Sequence, residues 1–451
     1  MRKLPRAGAP LHRAASVVTH RAHLKISLAY GRGHLEVELP GDCTTIIEPS
    51  PQHGVPDERA ALIAALEAPV QSEPLRKQVD SRKRIVIVHT DITRATPNDR
   101  IIPWLLAYLE GAGAKRENIT LLNGLGTHRP NTSGELEKML TPEVVANYRC
   151  INHEPENDDA LVQFGVTRTG VPARINRHFA EADVRIVTGF IEPHFFAGFS
   201  GGPKGIMPGV AALRTVMSNH GVENIGDRRS TFGVTEGNPI WEEMRDIALR
   251  VGPSFLVNVA LNEERKITGV FAGDLIAAHK VGIEFVRAGA MQRVEQPFDI
   301  VITTNSGYPL DMNLYQAVKG MRAAELIVKD GGTVIIAAEC AEGTPAGSPH
   351  DRLLRSVQSG EELLAKLNAP GSVAWPEQWQ GQIQSLIQRR AEIQIYTAMD
   401  DATVRAAHLV PCRDIAAAVK AKLGTAPDGL RIAVLPQGPL TIPYLATDPV
   451  L

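Results

Sequence analysis

The stretch from Arg185 to Gly221, RIVTGFIEPHFFAGFSGGPKGIMPGVAALRTVMSNHG, constrains the fold more than any other part of the chain. Arg185 to Phe190 is an apolar run bounded by turn formers and reads as a short buried strand. A turn carrying His194 follows. The loop Gly198-Phe199-Ser200-Gly201-Gly202-Pro203 then delivers one lysine, Lys204. Its glycines let a ligand approach the backbone closely. Pro208-Gly209 predicts the opening of a helix over 210–219, with His220 at its end just before Gly221.

Two similar units precede this one. Arg84 to Val88 is an apolar strand that runs into a polar loop with Asp91 and Arg94. A helix follows, with Ile101, Trp104, Leu105, Tyr108 and Leu109 on one face. Ile119 to Leu122 is the next strand. It opens into a loop with His128 and Arg129, and Thr132 with Glu135 signals a capping box for the helix Glu135–Leu140. In open α/β sheets, ligands bind beyond the carboxyl ends of the strands. That topology brings the three polar loops together.

The rest of the chain fits two α/β domains. Leu24 to Leu39 alternates around Gly31-Arg32-Gly33 and reads as a hairpin. Glu58 to Leu66 is a short helix. Phe255–Ala260 and Ile267–Phe271 form a hairpin, followed by a helix over Asp274–Arg287. Val294-Glu295-Gln296-Pro297 marks a boundary and, with Gln292 before it, an expected hinge. The second block has strands at Asp299–Thr304, Thr333–Ala338 and Ile393–Tyr396. Its helices are Met312–Val328, Glu361–Leu367, Gln380–Arg389 and Asp414–Leu423. The final strand, Arg431–Leu435, is expected to return to the first domain. The expected division is a disordered extension over 1–24, a first α/β domain over 25–293 plus 429–451, and a second α/β domain over 294–428. Residues 1–24 are basic and lack the apolar core of a signal peptide, so an over-early start codon explains them equally well.

Bulk properties remove several classes of function. A net charge of -2 gives no electrostatic case for nucleic acid or an anionic membrane. No apolar run approaches the roughly 18 residues of a membrane span. Cys43, Cys150, Cys340 and Cys412 form no CxxC pair, which argues against a thiolate zinc site and fits a reducing, cytoplasmic setting.

The polar loops carry the chemistry. Two histidines in facing loops suit acid–base work, because imidazole titrates at about pH 6.5. Arginine offers a bidentate fork to a carboxylate. Each residue also has a plainer reading. His220 suits a helix C-terminus through the dipole. Lys204 could be a simple anion binder, although GGPKG lacks phosphate-loop spacing and Pro203 removes an amide donor. Asp91 and Arg94 could be a cap and a surface ion pair. A zinc hydrolase built on His128, His194 and His220 remains open. So does a non-catalytic protein that binds a nucleotide cofactor.

Taken together, DITR (Asp91–Arg94), GTHR (Gly126–Arg129), PHFFAGFSGGPKGIMPG (Pro193–Gly209), the SNHG histidine His220, LYQAVKG (Leu314–Gly320) and PEQWQ (Pro376–Gln380) resemble the nickel-dependent lactate racemase family. The similarity runs from about residue 25 to the end. It implies a 2-hydroxy acid racemase or epimerase with a nickel-pincer nucleotide cofactor, made by separate cofactor biosynthesis proteins. Lys204 then matches the lysine that holds the cofactor covalently, beside Gly201 and Gly202, and His220 matches the histidine that completes the metal's coordination. His128 and His194 match the two catalytic bases. Arg94 and Lys319 match cationic groups near the substrate, with Gln316 beside them and Asp91 orienting its neighbours. Tyr315 and Trp379 match aromatic positions that close the pocket over a small substrate. The resemblance further implies a cofactor and substrate cleft between the two α/β domains, the first binding the cofactor and the second closing over it, and inversion at C2 by removal and return of hydride.

Overall fold

Two six-stranded sheets set the architecture of this computed structural model, which describes residues 23–372, 374–425 and 429–448. Apart from His23 and Leu24, which open a strand, the expected N-terminal extension lies outside the described residues.

The first sheet runs in the order Ile267–Asp274, Phe255–Leu261, Val184–Phe190, Ile85–Thr90, Ile119–Gly124, Arg149–Asn152. Every neighbouring pair is parallel except the edge hairpin Phe255–Leu261 with Ile267–Asp274. The central strands are apolar on both faces because both faces are covered. Ile85, Ile87, Val86 and Val88 are all buried. The strand order reverses between Ile85–Thr90 and Val184–Phe190. That reversal opens a crevice at the carboxyl ends of these two strands, where the Asp91 and Lys204 loops emerge.

The flanking helices follow their apolar periodicity. Asn98–Gly111 buries Ile101, Leu105 and Leu109. Both halves of the expected capping box form, with Thr132 accepting from the Glu135 amide and Glu135 accepting from the Thr132 amide. The helix expected over 210–219 is shorter and spans Leu213–Asn219. Its first turn is lost to sheet-like pairing: Ala212 N donates to Arg174 O, and Asn176 N donates to Val210 O. The helix Pro239–Val251 carries a signal that sequence reading overlooked. Asn238 caps it, and Ile240, Trp241, Met244, Ile247, Ala248 and Val251 are buried along one face.

The second sheet is entirely parallel. Its order is Val410–Cys412, Ala391–Tyr396, Val328–Ala337, Phe298–Thr304, Ile432–Leu435, Thr44–Ile46. The last strand therefore does not return to the first sheet. Ile432–Leu435 pairs with Phe298–Thr304, in the register Ile300 to Ile432. The reason is burial on both faces. Ile432 and Val434 pack under the hairpin His23–Tyr30 and Gly33–Pro40, while Ala433 and Leu435 face the large core on the other side. The expected helix over Met312–Val328 is Leu314–Glu325, because Val328 already pairs with Phe298 as the start of the next strand.

The segment expected to hinge is zipped. Met291–Val294 pairs in parallel with Ile442–Leu445, so the chain terminus braces the connection between the halves. One apolar cluster continues across both halves, joining Val216, Phe232 and Met244 to Leu314, Trp379 and Ile383.

Candidate active site

The Asp91 loop leaves the strand Ile85–Thr90 at the crevice. Asp91 is 3% exposed. Its Oδ2 accepts the Nδ1–H of His128 at 2.5 Å, and its Oδ1 accepts the Thr93 hydroxyl at 2.8 Å. A carboxylate only accepts, so this contact fixes the His128 tautomer and leaves Nε2 free as a base. Arg94 sits 3.9 Å from Asp91 Oδ1. Burial pushes the Asp91 carboxyl up, but the His128 hydrogen bond and the Arg94 charge outweigh it, and the carboxyl stays below its usual range.

The glycine loop is held from beneath by two side chains that sequence reading missed. Asn258 Oδ1 accepts the Gly202 amide at 2.8 Å, and His279 donates Nε2–H to the Ser200 carbonyl at 2.8 Å. Gly201 and Gly202 have φ of 75° and 53°. A Cβ on Gly202 would lie 2.3 Å from His279 Nδ1, and one on Gly201 would lie 2.3 Å from Asn258 Oδ1. Gly202→Ala therefore combines left-handed backbone strain with overpacking, together on the order of 2–4 kcal/mol. The expected result is a lower thermal midpoint in apoprotein melting. An unchanged midpoint would show that the loop is looser than this packing implies.

Lys204 lies in the single turn Gly202–Gly205, with Nζ 5.7 Å from the Phe196 ring centre. Burial, with Arg94 and Lys319 nearby, pushes its amine down to about 7, against partial opposition from Glu192. Lys319 is pushed down to about 8 by burial and Arg94. Glu192 is raised by burial, which outweighs the three cations around it. A depressed lysine loses its proton as pH rises through the depressed value. Lys204 in apoprotein should therefore react with an amine reagent with a midpoint of about pH 7, well below ordinary lysines. Peptide mapping across a pH series measures this. A midpoint above about 9 would contradict a neutral buried amine.

His194 accepts the Ala197 amide at Nδ1, 3.3 Å away, and packs against Phe195 and Phe196. Burial and the charges of Lys204, Lys319 and Arg94 hold its imidazole well below the ordinary histidine range. His220 follows the helix Leu213–Asn219 and is 4% exposed. Its ring lies between Phe196 and Trp379, at 5.0 and 5.1 Å, and its Nδ1 is buried without a hydrogen-bond partner. Burial and Lys204 push it down to about 3, so it stays neutral.

The second half closes over this group. Tyr315, Gln316 and Lys319 lie on the helix Leu314–Glu325, capped by Asn313. Trp379, on the helix Gln378–Arg390, donates its indole N–H to the Tyr315 hydroxyl at 3.1 Å. Gln380 donates to the Tyr315 carbonyl at 2.5 Å.

Most of the sequence-selected residues thus converge on one cleft. Arg129 does not join them, because Glu135 holds it in a bidentate pair on the surface. Glu192, Asn258 and His279 join them unannounced. The zinc triad reading fails on geometry. Among the described residues, no three His, Cys, Asp or Glu side chains are grouped to hold a metal ion.

Comparison with known proteins decides the family. The profile described as lactate racemase N-terminal domain matches residues 30–233, and that described as lactate racemase C-terminal domain matches residues 294–442. The chain belongs to the lactate racemase family. The lactate racemase of Thermoanaerobacterium thermosaccharolyticum is 34% identical over 418 residues, covering 92% of this chain and 97% of that protein. The lactate racemase of Lactiplantibacillus plantarum is 39% identical over 333 residues, covering 73% and 78%. The structure of the T. thermosaccharolyticum lactate racemase apoprotein superposes with a TM-score of 0.87 at 33% identity, over 93% of this chain and all of that one. A Thermotoga maritima protein shares the fold alone, at 19% identity and a TM-score of 0.65, over 88% of this chain and 100% of that one.

As a member of the lactate racemase family the chain is an enzyme, an isomerase acting on a small molecule. Among the described residues no helix is long and apolar enough to cross a membrane. Membership also implies a nickel-dependent cofactor, and the residues present fit one. His220 is a buried neutral imidazole with an orphaned nitrogen, and it lies close enough to Lys204 to feel its charge.

Proposed function

We propose that the cleft racemises or epimerises a small 2-hydroxy acid, with His128 and His194 as its acid–base pair. The observation that carries this reading is the convergence of both histidines with Arg94, Lys204 and Lys319 beneath Tyr315 and Trp379. The catalytic cleft would then lie between a first domain over 25–293 and a closing domain that starts at 294. The terminal strand Ile432–Leu435 belongs with the closing domain by its pairing.

Each residue has a part. Lys204 would hold a nickel-pincer nucleotide covalently, on the turn that Gly201 and Gly202 allow, and His220 would ligate the nickel. The chemistry supplied by the bound cofactor is reversible acceptance of hydride from C2. Arg94 and Lys319 bind the substrate carboxylate and hydroxyl, with Gln316 beside them. One histidine takes the hydroxyl proton, and the other returns a proton to the opposite enantiomer. Asp91 holds His128 in the tautomer that exposes Nε2. Tyr315 and Trp379 exclude water from the reacting carbon. Loading requires cofactor biosynthesis proteins, and a reducing cytoplasm suits a chain whose four cysteines form no disulfide.

Incubating loaded enzyme with single-enantiomer 2-hydroxy acids in deuterated water tests the reading. Racemisation without deuterium at C2 is expected, because the hydrogen leaves and returns as hydride. Deuterium at C2 would mean proton abstraction at carbon and would overturn the hydride route.

A further inference from the structure

His128 and its carboxylate partner Asp91 stand on different loops, and the hydrogen bond between them is 2.5 Å long. A contact that short needs the two loops held at a fixed spacing. Three asparagines with no part in the reaction above supply the hold.

Asn123 and Asn152 pair in register at the carboxyl ends of the neighbouring strands Ile119–Gly124 and Arg149–Asn152. On its other side Asn123 pairs with His89, two residues before Asp91. Asparagine is a poor strand former, so its place at two adjacent strand ends calls for a reason beyond strand pairing. Asn131, three residues after His128, contacts both. Its backbone N–H donates to Asn152 Oδ1 at 3.2 Å, and its carbonyl accepts from Asn152 Nδ2 at 2.9 Å. Asn123 Nδ2 donates to Asn131 Oδ1 and to Asn152 Oδ1, both at 2.9 Å.

The Asn131 side chain then crosses to the other loop. Its Oδ1 also accepts the N–H of Ile92, the residue after Asp91, at 3.3 Å. Its Nδ2 donates at 3.1 Å to Glu135 Oε2, the carboxylate that caps the following helix and pairs with Arg129. Chemistry fixes both ends of this amide. A backbone N–H only donates and a carboxylate only accepts, so the oxygen faces Ile92 and the nitrogen faces Glu135. Aspartate could not serve Glu135, and leucine could serve neither. The loop is tied at its start as well. Gly126 N donates to Gly209 O at 2.9 Å, and His128 N closes a turn on Leu125 O at 3.0 Å.

We propose that Asn131 is a positioning residue, which holds the Asp91 loop against the His128 loop so that His128 keeps its proton on Nδ1 and presents Nε2 to the substrate. This rests on the racemase reading given above. Asn131 has no such link to His194, which stands on the separate hairpin Pro193–His194 with Gly198–Phe199. The effect of Asn131 is therefore one-sided. Loosening it should hamper the enantiomer that His128 serves and spare the one that His194 serves. A merely structural role would weaken both.

Wild type, Asn131→Ala and Asn131→Asp should be compared, with Asn131→Ser in place of Asn131→Ala if that chain does not fold. In apoprotein, the nitrogen signals of the neutral His128 ring are expected to place the proton on Nδ1 in wild type and to report mixed tautomers in Asn131→Ala. Asn131→Asp keeps an oxygen toward Ile92 and should stay nearer to wild type. In loaded enzyme, acid quench of a single turnover should show 2-keto acid forming at least about tenfold more slowly from one enantiomer of the Asn131→Ala substrate pair, because a misplacement of about 1 Å can cost about 10²-fold. The other enantiomer should stay within about twofold of wild type. Ring signals alike in all the proteins, or equal slowing of both enantiomers, would overturn this assignment alone. No keto acid from either enantiomer with loaded wild type would overturn the racemase reading and, with it, the part of Asn131 in catalysis.

Discussion

Lys204→Ala is expected to give a folded protein that retains no covalent adduct and no racemase activity above background. The cradle does not depend on the lysine side chain. Asn258 holds the Gly202 amide and His279 holds the Ser200 carbonyl whether or not the amine is present. Removing the buried amine also removes a desolvated group whose charged form Arg94 and Lys319 disfavour. The apoprotein should therefore melt no lower than wild type. What disappears is an amine that burial has made nucleophilic near neutral pH. In the proposed reaction the cofactor supplies the redox step, so no racemisation is expected without it. Intact mass and nickel content after loading, followed by polarimetry, check this directly. A variant that keeps stoichiometric nickel and turns over would remove Lys204 from its proposed role.

The second large effect concerns the histidine pair. His128→Ala and His194→Ala should each lower turnover by about 10²–10⁴-fold, the usual contribution of a positioned acid–base group. Enantiomers have equal free energies, so kcat/KM must fall by the same factor in both directions. The half-reaction need not. Each variant keeps one base and should still oxidise the enantiomer whose hydroxyl faces it. Acid quench of a single turnover is expected to yield 2-keto acid from one enantiomer with His128→Ala and from the other with His194→Ala. Equal yields from both enantiomers would show that the histidines are not a facing pair. The two are not equivalent at rest. His128 donates its Nδ1–H to the Asp91 carboxylate, whereas His194 accepts a backbone amide and lies among cations.

The contrast between what the sequence disclosed and what it withheld is physical. The strands Ile85–Thr90, Ile119–Gly124 and Val184–Phe190 were readable because burial on both faces demands unbroken apolar runs. The loops after them were readable as a site because topology fixes where strand ends meet. Arg129 misled, since its neighbour Glu135 reaches back as a helix cap and captures it. Ile432–Leu435 misled for another reason. An apolar run announces burial but not its pairing partner, which lies more than a hundred residues away. The supports of the glycine loop were hidden in the same way. Nothing local to Gly202 reveals that His279 presses against its Cα.

The second sheet takes one strand from residues 44–46 and another from residues 432–435, whereas the first sheet is complete by residue 274. Chains fold as they leave the ribosome, one unit at a time. The half that holds Lys204 can therefore finish while its cover still lacks a central strand. Before residues 432–435 are made, the sheet on which the Tyr315 helix packs lacks a strand, and access of a cofactor to Lys204 is expected to be easiest in that interval.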